Sequence, residues 1–388
     1  MTVRFTVVRG VERINFPELG MYAALRHEGF EPELLCSTRS RVTEADVGMP
    51  IRRLPLPPIA SRLAPTLVGG YLIGRVSPYR YYHQYLRGFH RAVRSADVLC
   101  PVDLGHPTSY QSVEERRFGK KVVVQCWDNI PFNWPEDRPI REHYEAVLDG
   151  ADHFLALTED SRRALRAMGV AEERVSRVNI GVDVDFWRPA DAPHEDREPT
   201  KLLFVGRLDW AKGLHTVIEA LDLVRAPVHL TVVGSGAQES RLRWLIESRQ
   251  KRGKGVRPGS VEFLGPRFGE ELRKLRQSAD AQVVPSIPTP QWREQMNQAM
   301  LEGLACGLPA IASRTGAIPE ALADRENGLL VPPDSPVDWA RAIDDLAEHP
   351  DDRRRMAQRA RERVVEEYAL ARQGRLLAAV LHEKVIGR

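Results

Sequence analysis

The sequence of 388 residues predicts an α/β protein made of two doubly wound, parallel-sheet domains in tandem. Three observations point there. The length exceeds what one ordinary core fills and suits two domains of under roughly 200 residues each. Short β-branched runs alternate with helical stretches, the pattern of parallel strands covered by helices on both faces. The runs also fall into two series, separated by DVDFWRPADAPHEDREPT (183–200), a Pro-rich and charged stretch without apolar periodicity that reads as a linker.

The first series comprises VRFTVVR (3–9), EPELLC (31–36), ADVLCPV (96–102), KKVVVQC (120–126) and HFLAL (153–157). The second comprises KLLFVGR (201–207), VHLTVVG (228–234), VEFLG (261–265), AQVVPS (281–286), PAIAS (309–313) and GLLVP (328–332). The domain boundary is placed at 189/190. No short repeat interrupts this pattern. The chain ends in charged helices, DDRRRMAQRARERVVEEY and ALARQGRLLAAVLHEKV, whose leucines and valines at helical spacing predict docking onto a domain.

A formal charge of +3, from 56 basic and 53 acidic residues, gives no bulk excess that would argue for nucleic acid as a partner. Cys36, Cys100, Cys126 and Cys306 are scattered, mostly in apolar runs, with no CxxC pair, so neither a disulfide framework nor a metal site is expected. A reducing cytoplasm is the simplest location. MTVRFTVVRG meets charge too early for a signal peptide, and no apolar run reaches 18 residues.

Doubly wound sheets place ligands at the carboxyl ends of their strands, so two such domains are expected to face a central cleft. The loop after KLLFVGR carries Arg207 and Lys212 on a strand-to-helix turn closing at Gly213. Two cations there suit a diphosphate, the arginine gripping oxygens bidentately and the lysine supplying a compact charge. With 8 lysines against 48 arginines, a lysine at this spot is informative; the alternative is a solvated charged turn. After VHLTVVG comes Gly234-Ser235-Gly236, a tight turn that lacks the GxGxxG spacing of a dinucleotide fingerprint and counts against a nicotinamide dehydrogenase.

The stretch REQMNQAMLEGLACGLP (293–309) frames an apolar run with Glu294 and Glu302. Its helix is expected to begin near Met296, with Glu294 in the preceding loop. Unsatisfied amides at such an N-terminus attract phosphate or the oxygen-rich face of a sugar. Were the segment wholly helical, the two carboxylates would lie roughly 12 Å apart, comparable to the reach from a hexose across a diphosphate to a ribose. Carboxylates accept hydrogen bonds from vicinal hydroxyls. Taken singly, Glu294 also fits a helix-dipole partner and Glu302 a buried, paired structural acid. Beside the cation turn, the ligand role is favoured.

These motifs resemble the retaining family-four glycosyltransferases. GRLDWAKG, VVGSG, the E-x7-E run from Glu294 to Glu302, LACGLPAIAS and GAIPE stand in that family's order and spacing, and HFLALTEDSRRALRAMGV and VNIGVDVDFWRP resemble the end of its first domain. The resemblance implies a GT-B fold: an acceptor-binding domain over 1–189, a nucleotide-sugar-binding domain over 190–367, and a helix over 368–388 returning to the first domain. It implies that Arg207 and Lys212 bind the donor diphosphate, Glu302 the ribose hydroxyls and Glu294 those of the transferred sugar. FLGPRF (263–268), with Arg267, falls at the nucleobase, while Gly206, Gly234, Gly236, Gln295, Met296 and Asn297 line the donor site. The mechanism implied is metal-free, front-face transfer with retention, in which a leaving phosphate oxygen helps deprotonate the acceptor. No cofactor is implied beyond the nucleotide-sugar donor.

The chain departs from its relatives at three places. Only Gly10 stands where many carry a glycine pair and a histidine after the first strand. Trp127-Asp128-Asn129 replaces another histidine after KKVVVQC, leaving Asp128 to substitute for its polar role, with Trp127 either functional or packing. Met296-Asn297 replaces Phe-Gly after the first glutamate, a pair in which glycine allows close ligand approach. The acceptor is expected to be a glycan, lipid-linked or small molecule. Residues 71–94, with five tyrosines and five arginines, fit either a helix packed on the sheet, the favoured reading, or a peripheral membrane contact. The main function expected is hexosyl transfer. The alternative is an inert nucleotide-sugar-binding or partner protein; an epimerase lacks a residue to assign as its acid or base.

Overall fold

The computed structural model describes residues 2–10, 16–56, 85–133, 138–191, 198–251 and 260–387. Most of the 71–94 stretch therefore lies outside the described residues. Two compact units are present: Met1–Gly181 with Leu370–Arg388, and Val182–Ala369.

In the first unit, seven described strands form one parallel sheet, β1 (Val3–Arg9), β2 (Phe30–Ser37), β3 (Ile51–Leu54), β4 (Val98–Cys100), β5 (Lys121–Cys126), β6 (His153–Ala156) and β7 (Val175–Arg177), in the order β3-β2-β1-β4-β5-β6-β7. Val3 pairs with Phe30 on one side of β1, and Phe5 with Val98 on the other. The strand order reverses between β1 and β4, so the loops after them flank the switch point. Phe5 and Val7 pack into one cluster and Val8 into another on the opposite face, which is why the apolar–polar alternation of Val3–Val7 is lost at the carboxyl end of β1. The two strands not anticipated are β3 and β7. Both lie at sheet edges, β3 carrying two exposed arginines and β7 only three residues long, and edge strands tolerate polar residues that hide the apolar signal. The flanking helices include α1 (Gly20–Ala24), α2 (Pro107–Glu114), α3 (Arg138–Gly150) and α4 (Glu159–Ala167), the last capped by the Thr158 hydroxyl accepting from the Ser161 amide at 3.1 Å.

In the second unit, six described strands, β8 (Thr200–Val205), β9 (Val228–Val233), β10 (Val261–Gly265), β11 (Ala281–Val284), β12 (Ala310–Ser313) and β13 (Gly328–Val331), form a parallel sheet in the order β10-β9-β8-β11-β12-β13. Here the switch point lies between β8 and β11. Leu202 and Phe204 pack with Ile218 and Trp339 on one face, while Leu203 packs with Leu272 on the other. The helices include α5 (Leu214–Ala220), α6 (Glu239–Lys251), α7 (Gly269–Ser278), α8 (Gln298–Ala305), α9 (Pro336–Glu348) and α10 (Pro350–Arg363).

The units change over at Gly181–Val182 and at Ala369–Leu370, whereas the sequence placed the boundaries at 189/190 and 367/368. The cause is packing. Val182 pairs with Ala369, and Arg361 donates to the carbonyls of Val184 and Trp187, so the head of the apparent linker belongs to the second unit. The final helix, α11 (Leu370–Val380), belongs to the first unit: Leu377 and Leu381 join the cluster of Phe5, Tyr22 and Phe30, and the Gln373 side chain accepts from the Asn179 amide at 3.0 Å.

Candidate functional site

At the carboxyl edge of the second sheet, backbone hydrogen bonds knit successive loops together. The Gly206 amide donates to Val233 at 3.0 Å, Leu208 to Ser235 at 2.9 Å and Gln238 to Leu208 at 2.8 Å, joining the loops after β8 and β9. Gly234 donates to Gly265 at 3.0 Å and ties in the loop after β10. Trp210–Lys212 form a short turn capped by Asp209, whose carboxylate accepts from the Lys212 amide at 3.1 Å.

Gly213 ends that turn with φ of 65°, and a Cβ there would stand 1.9 Å from the Pro285 carbonyl oxygen. Only glycine fits both the left-handed backbone and the contact. The Ile287 amide donates to Ala211 at 2.8 Å across the same junction, fixing the loop after β11 against the turn. Lys212 is thereby carried to Glu294, its Nζ lying 2.9 Å from Oε1 and 2.8 Å from Oε2. The Ser286 hydroxyl donates a short hydrogen bond to Oε2, and the ammonium lies 5.0 Å from the Trp292 ring centre. Glu294 is held through its backbone as well, its carbonyl accepting from the Ala317 amide at 3.0 Å beside Gly316.

The helix begins at Gln298 rather than near Met296. Asn297 is its N-cap: extended backbone precedes the first turn, and its Oδ1 accepts from the Met300 amide at 2.9 Å. The residue replacing glycine therefore has a structural task, and the fully helical spacing from Glu294 to Glu302 does not apply. Met296 is buried and Gln295 half-buried.

The remaining predicted donor residues do not join the Lys212–Glu294 pair. Arg207 is exposed and pairs with Asp209 at 3.2 Å. Arg267 pairs with Glu271 at 2.6 Å, next to Phe268, which is 74% exposed. Glu302 is buried against Arg276 at 2.8 Å, and that guanidinium lies 4.4 Å from the Trp187 ring centre. Burial pushes the Glu302 carboxyl above its ordinary value, opposed by Arg276 and by a hydrogen bond from Gln298.

At the switch point of the first unit, Arg9 is buried where β1 ends. It donates from Nη2 to Gln125 at 2.6 Å, from Nε to Glu18 at 3.2 Å and from Nη1 to the Cys100 carbonyl at 3.2 Å. Asp103, in the left-handed region at φ of 52°, accepts from the Trp127 amide at 2.7 Å. Burial raises its carboxyl well above the usual range, as does Asp128; amides of Trp127 and Asp128 oppose the rise. Burial also raises Asp128, opposed by the Leu104 amide. The loops after β4 and β5 are thus clasped by each other's carboxylates. Burial lowers His106 to about 4, reinforced by Arg9. Among the described residues, no group of three or more His, Cys, Asp or Glu is placed to hold a metal ion, and no helix is long and apolar enough to cross a membrane. The four cysteines are free and buried.

Two family models cover most of the chain: residues 199–349 match glycosyl transferases group 1, and residues 19–181 match the glycosyl transferase 4-like domain. The chain belongs to the group 1, family-four glycosyltransferases. A D-inositol 3-phosphate glycosyltransferase of Mycobacteroides abscessus is 32% identical over 212 residues, 52% of this chain and 46% of that protein. Glycogen synthase of Mycobacterium tuberculosis is 31% identical over 216 residues, 55% and 49% respectively. The chain spans about half the length of the curated relatives it matches. Anabaena HepE, solved with UDP, superposes with a TM-score of 0.75 at 16% identity over 99% of this chain and all of that one. Sucrose-phosphate synthase of Thermosynechococcus elongatus gives 0.70 at 19%, over 98% of each. These likenesses establish the GT-B fold.

Several residues around the two sheets escaped sequence reasoning. Ser286 closes the strand run AQVVPS, and a hydroxyl at a carboxyl edge was the available signal. Arg9 was another: a cation directly after the apolar pair Val7-Val8 at the carboxyl end of the strand. Arg276 gave none, because ELRKLRQS places charges around the whole helix.

Proposed function

We propose that this chain is a retaining glycosyltransferase that moves a hexosyl unit from a UDP- or GDP-sugar to a hydroxyl of a glycan, lipid-linked or small-molecule acceptor. The observation that carries the reading is Lys212, held on both oxygens of Glu294 at the switch point of the second sheet. An ammonium has three donors, so two on Glu294 leave one for a phosphate oxygen. Glu294 retains acceptor capacity for sugar hydroxyls, and Arg207, exposed beside the same turn, supplies the second cation for the diphosphate. As the bond between the anomeric carbon and the phosphate oxygen breaks, these cations meet the charge that builds on the leaving nucleoside diphosphate. The acceptor oxygen bonds the same face of that carbon, and its proton passes to the departing phosphate oxygen.

Glu302 stays assigned to the ribose, with acceptor capacity remaining beyond Arg276 and Gln298, and Asp128 to a polar contact on the acceptor-binding unit. HepE has been solved with UDP and with UDP-glucose, which supports a uridine donor. The test is incubation with UDP- and GDP-sugars, with and without cell-derived acceptors, measuring released nucleoside diphosphate and the anomeric configuration of any product by NMR. Release that Lys212→Met abolishes, with retained configuration, is expected. Tight donor binding without release under all conditions would establish the inert nucleotide-sugar-binding protein instead; an inverted product would overturn retention.

A further inference from the structure

A cavity of about 410 Å³ lies wholly within the second unit, a size in the range of small-molecule sites. Ala279 and Asp280 line it just before β11, and Gly307 and Pro309 just before β12. It therefore sits at the amino edge of the sheet, whereas Lys212 and Glu294 follow the carboxyl ends of strands. Helix α10 forms the facing wall with Arg353, Arg354, Ala357 and Arg361.

Arg276, Arg353, Arg354 and Arg361 line it together with Asp280 and Glu362. Arg353 and Arg354 are balanced by acids, Arg353 by Asp280 and Arg354 by Asp351, which leaves Arg276 and Arg361 as the cations able to take a ligand. Neither acid is left to neutralise these two: Asp280 pairs with Arg353 at 3.3 Å and accepts from the Lys201 amide at 2.7 Å, and Glu362 pairs with Arg359 at 3.0 Å. Arg361 donates to the carbonyls of Val184, Trp187 and Ala305, with no carboxylate within ion-pair distance among the described residues. Arg276 is 1% exposed and pairs through Nη2 with Glu302, while its Nε and Nη1 have no hydrogen-bond partner among the described residues. Buried N–H donors without acceptors are costly, and an oxyanion would satisfy them.

We propose that this cavity binds a small metabolite carrying a phosphate or carboxylate, with its oxygens on Arg276 and Arg361 and its carbon frame against Pro309 and Ala357. An anion there competes with Glu302 for Arg276 and so biases donor binding at the other end of the unit. This second half rests on the donor reading of Glu302; the site itself does not.

The test is calorimetric titration of the full chain at constant ionic strength, with inorganic phosphate and separately with succinate. Phosphate also suits the diphosphate site, so Lys212→Met lowers that contribution and the wall variants separate what Arg207 retains there from binding in the cavity. Saturable, one-to-one binding of at least one anion is expected to survive in Lys212→Met and to weaken roughly tenfold or more in Ala357→Glu, which sets a like charge in the wall. Circular dichroism checks the folding of Ala357→Glu, and Arg354→Glu on the exposed rim provides a second variant with the same expectation. No saturable binding to Lys212→Met, or equal affinity in the folded wall variants, overturns the site. If the anion binds but leaves UDP affinity unchanged, the coupling through Glu302 is overturned and the site stands.

Discussion

Lys212→Met removes the cation from a pair whose side chains are 16% and 5% exposed. Breaking a buried ion pair costs about 3–5 kcal/mol, because the partner is left charged and uncompensated. The Lys212 side chain keeps some contact with solvent, which sets the expectation at the lower end, about 3 kcal/mol. In a unit of this size that corresponds to a fall in Tm of roughly 6–12 °C. Adding Glu294→Gln removes the stranded charge while leaving an amide oxygen to accept from Ser286. The double variant should therefore recover most of the loss, at least about 2 kcal/mol, as coupled neighbours do in a double-mutant cycle. Nucleoside diphosphate release should not recover with it. Thermal melts and urea titrations of the four proteins, run beside the release assay, give both quantities. A single variant costing under about 1 kcal/mol, or a double variant no more stable than Lys212→Met, would refute the buried-pair account. A double variant that turns over at the wild-type rate would remove the pair from the donor machinery.

Other substitutions probe the supports of the site. Gly213→Ala should cost about 1–2 kcal/mol for the left-handed backbone alone, and more for displacing the Pro285 carbonyl, with donor affinity falling alongside Tm; a wild-type melt would contradict the close approach. Asn297→Ala should lose about 1 kcal/mol of cap energy and Asn297→Gly only a few tenths, as urea unfolding will show, and equal losses would deny the cap. Burial lowers His106 from 6.5 unfolded to about 4 folded, so its stabilising contribution is full above 6.5 and is lost as pH falls towards 4. The range of that contribution is about 3 kcal/mol; His106→Gln should flatten the decline in stability between those values, and an unchanged slope would refute it.

The sequence made legible what is periodic or locally constrained. All of the apolar runs identified as strands became strands, because parallel strands buried on both faces need continuous apolar stretches. IRRL and VSR did not declare themselves, because edge positions impose no such demand. Lys212 and Glu294 could each be found from local grammar: a lysine before the glycine that closes a turn, and a glutamate before a helix. Their pairing could not, since it spans 82 positions and depends on Gly213 meeting Pro285. Asn297 is readable as a cap from its place before the helical run, a signal obscured by its standing where glycine is expected. Arg276 and Glu302 show the opposite limit. Burial of a charge is decided by which helix face packs inward, and α7 has charges on every side.

The two glutamates around α8 differ in kind. Glu294 lies outside the helix and is fixed by Lys212, by Ser286 and through its carbonyl by Ala317, so its carboxylate is oriented before any ligand arrives. Lys212 is oriented by the same contacts and its charge is already half balanced. Preorganisation of this sort removes reorganisation at the moment of bond breaking, and it reduces the attraction available for an incoming diphosphate. That attraction must then come from a cation not yet neutralised by a buried acid. Arg207, exposed and among the described residues paired with the half-exposed Asp209, is the proposed candidate at the same sheet edge. On the proposed donor reading, the turn RLDWAKG divides its work between an exposed cation, Arg207, that would draw the diphosphate in and a fixed one, Lys212, that would meet the charge as it leaves.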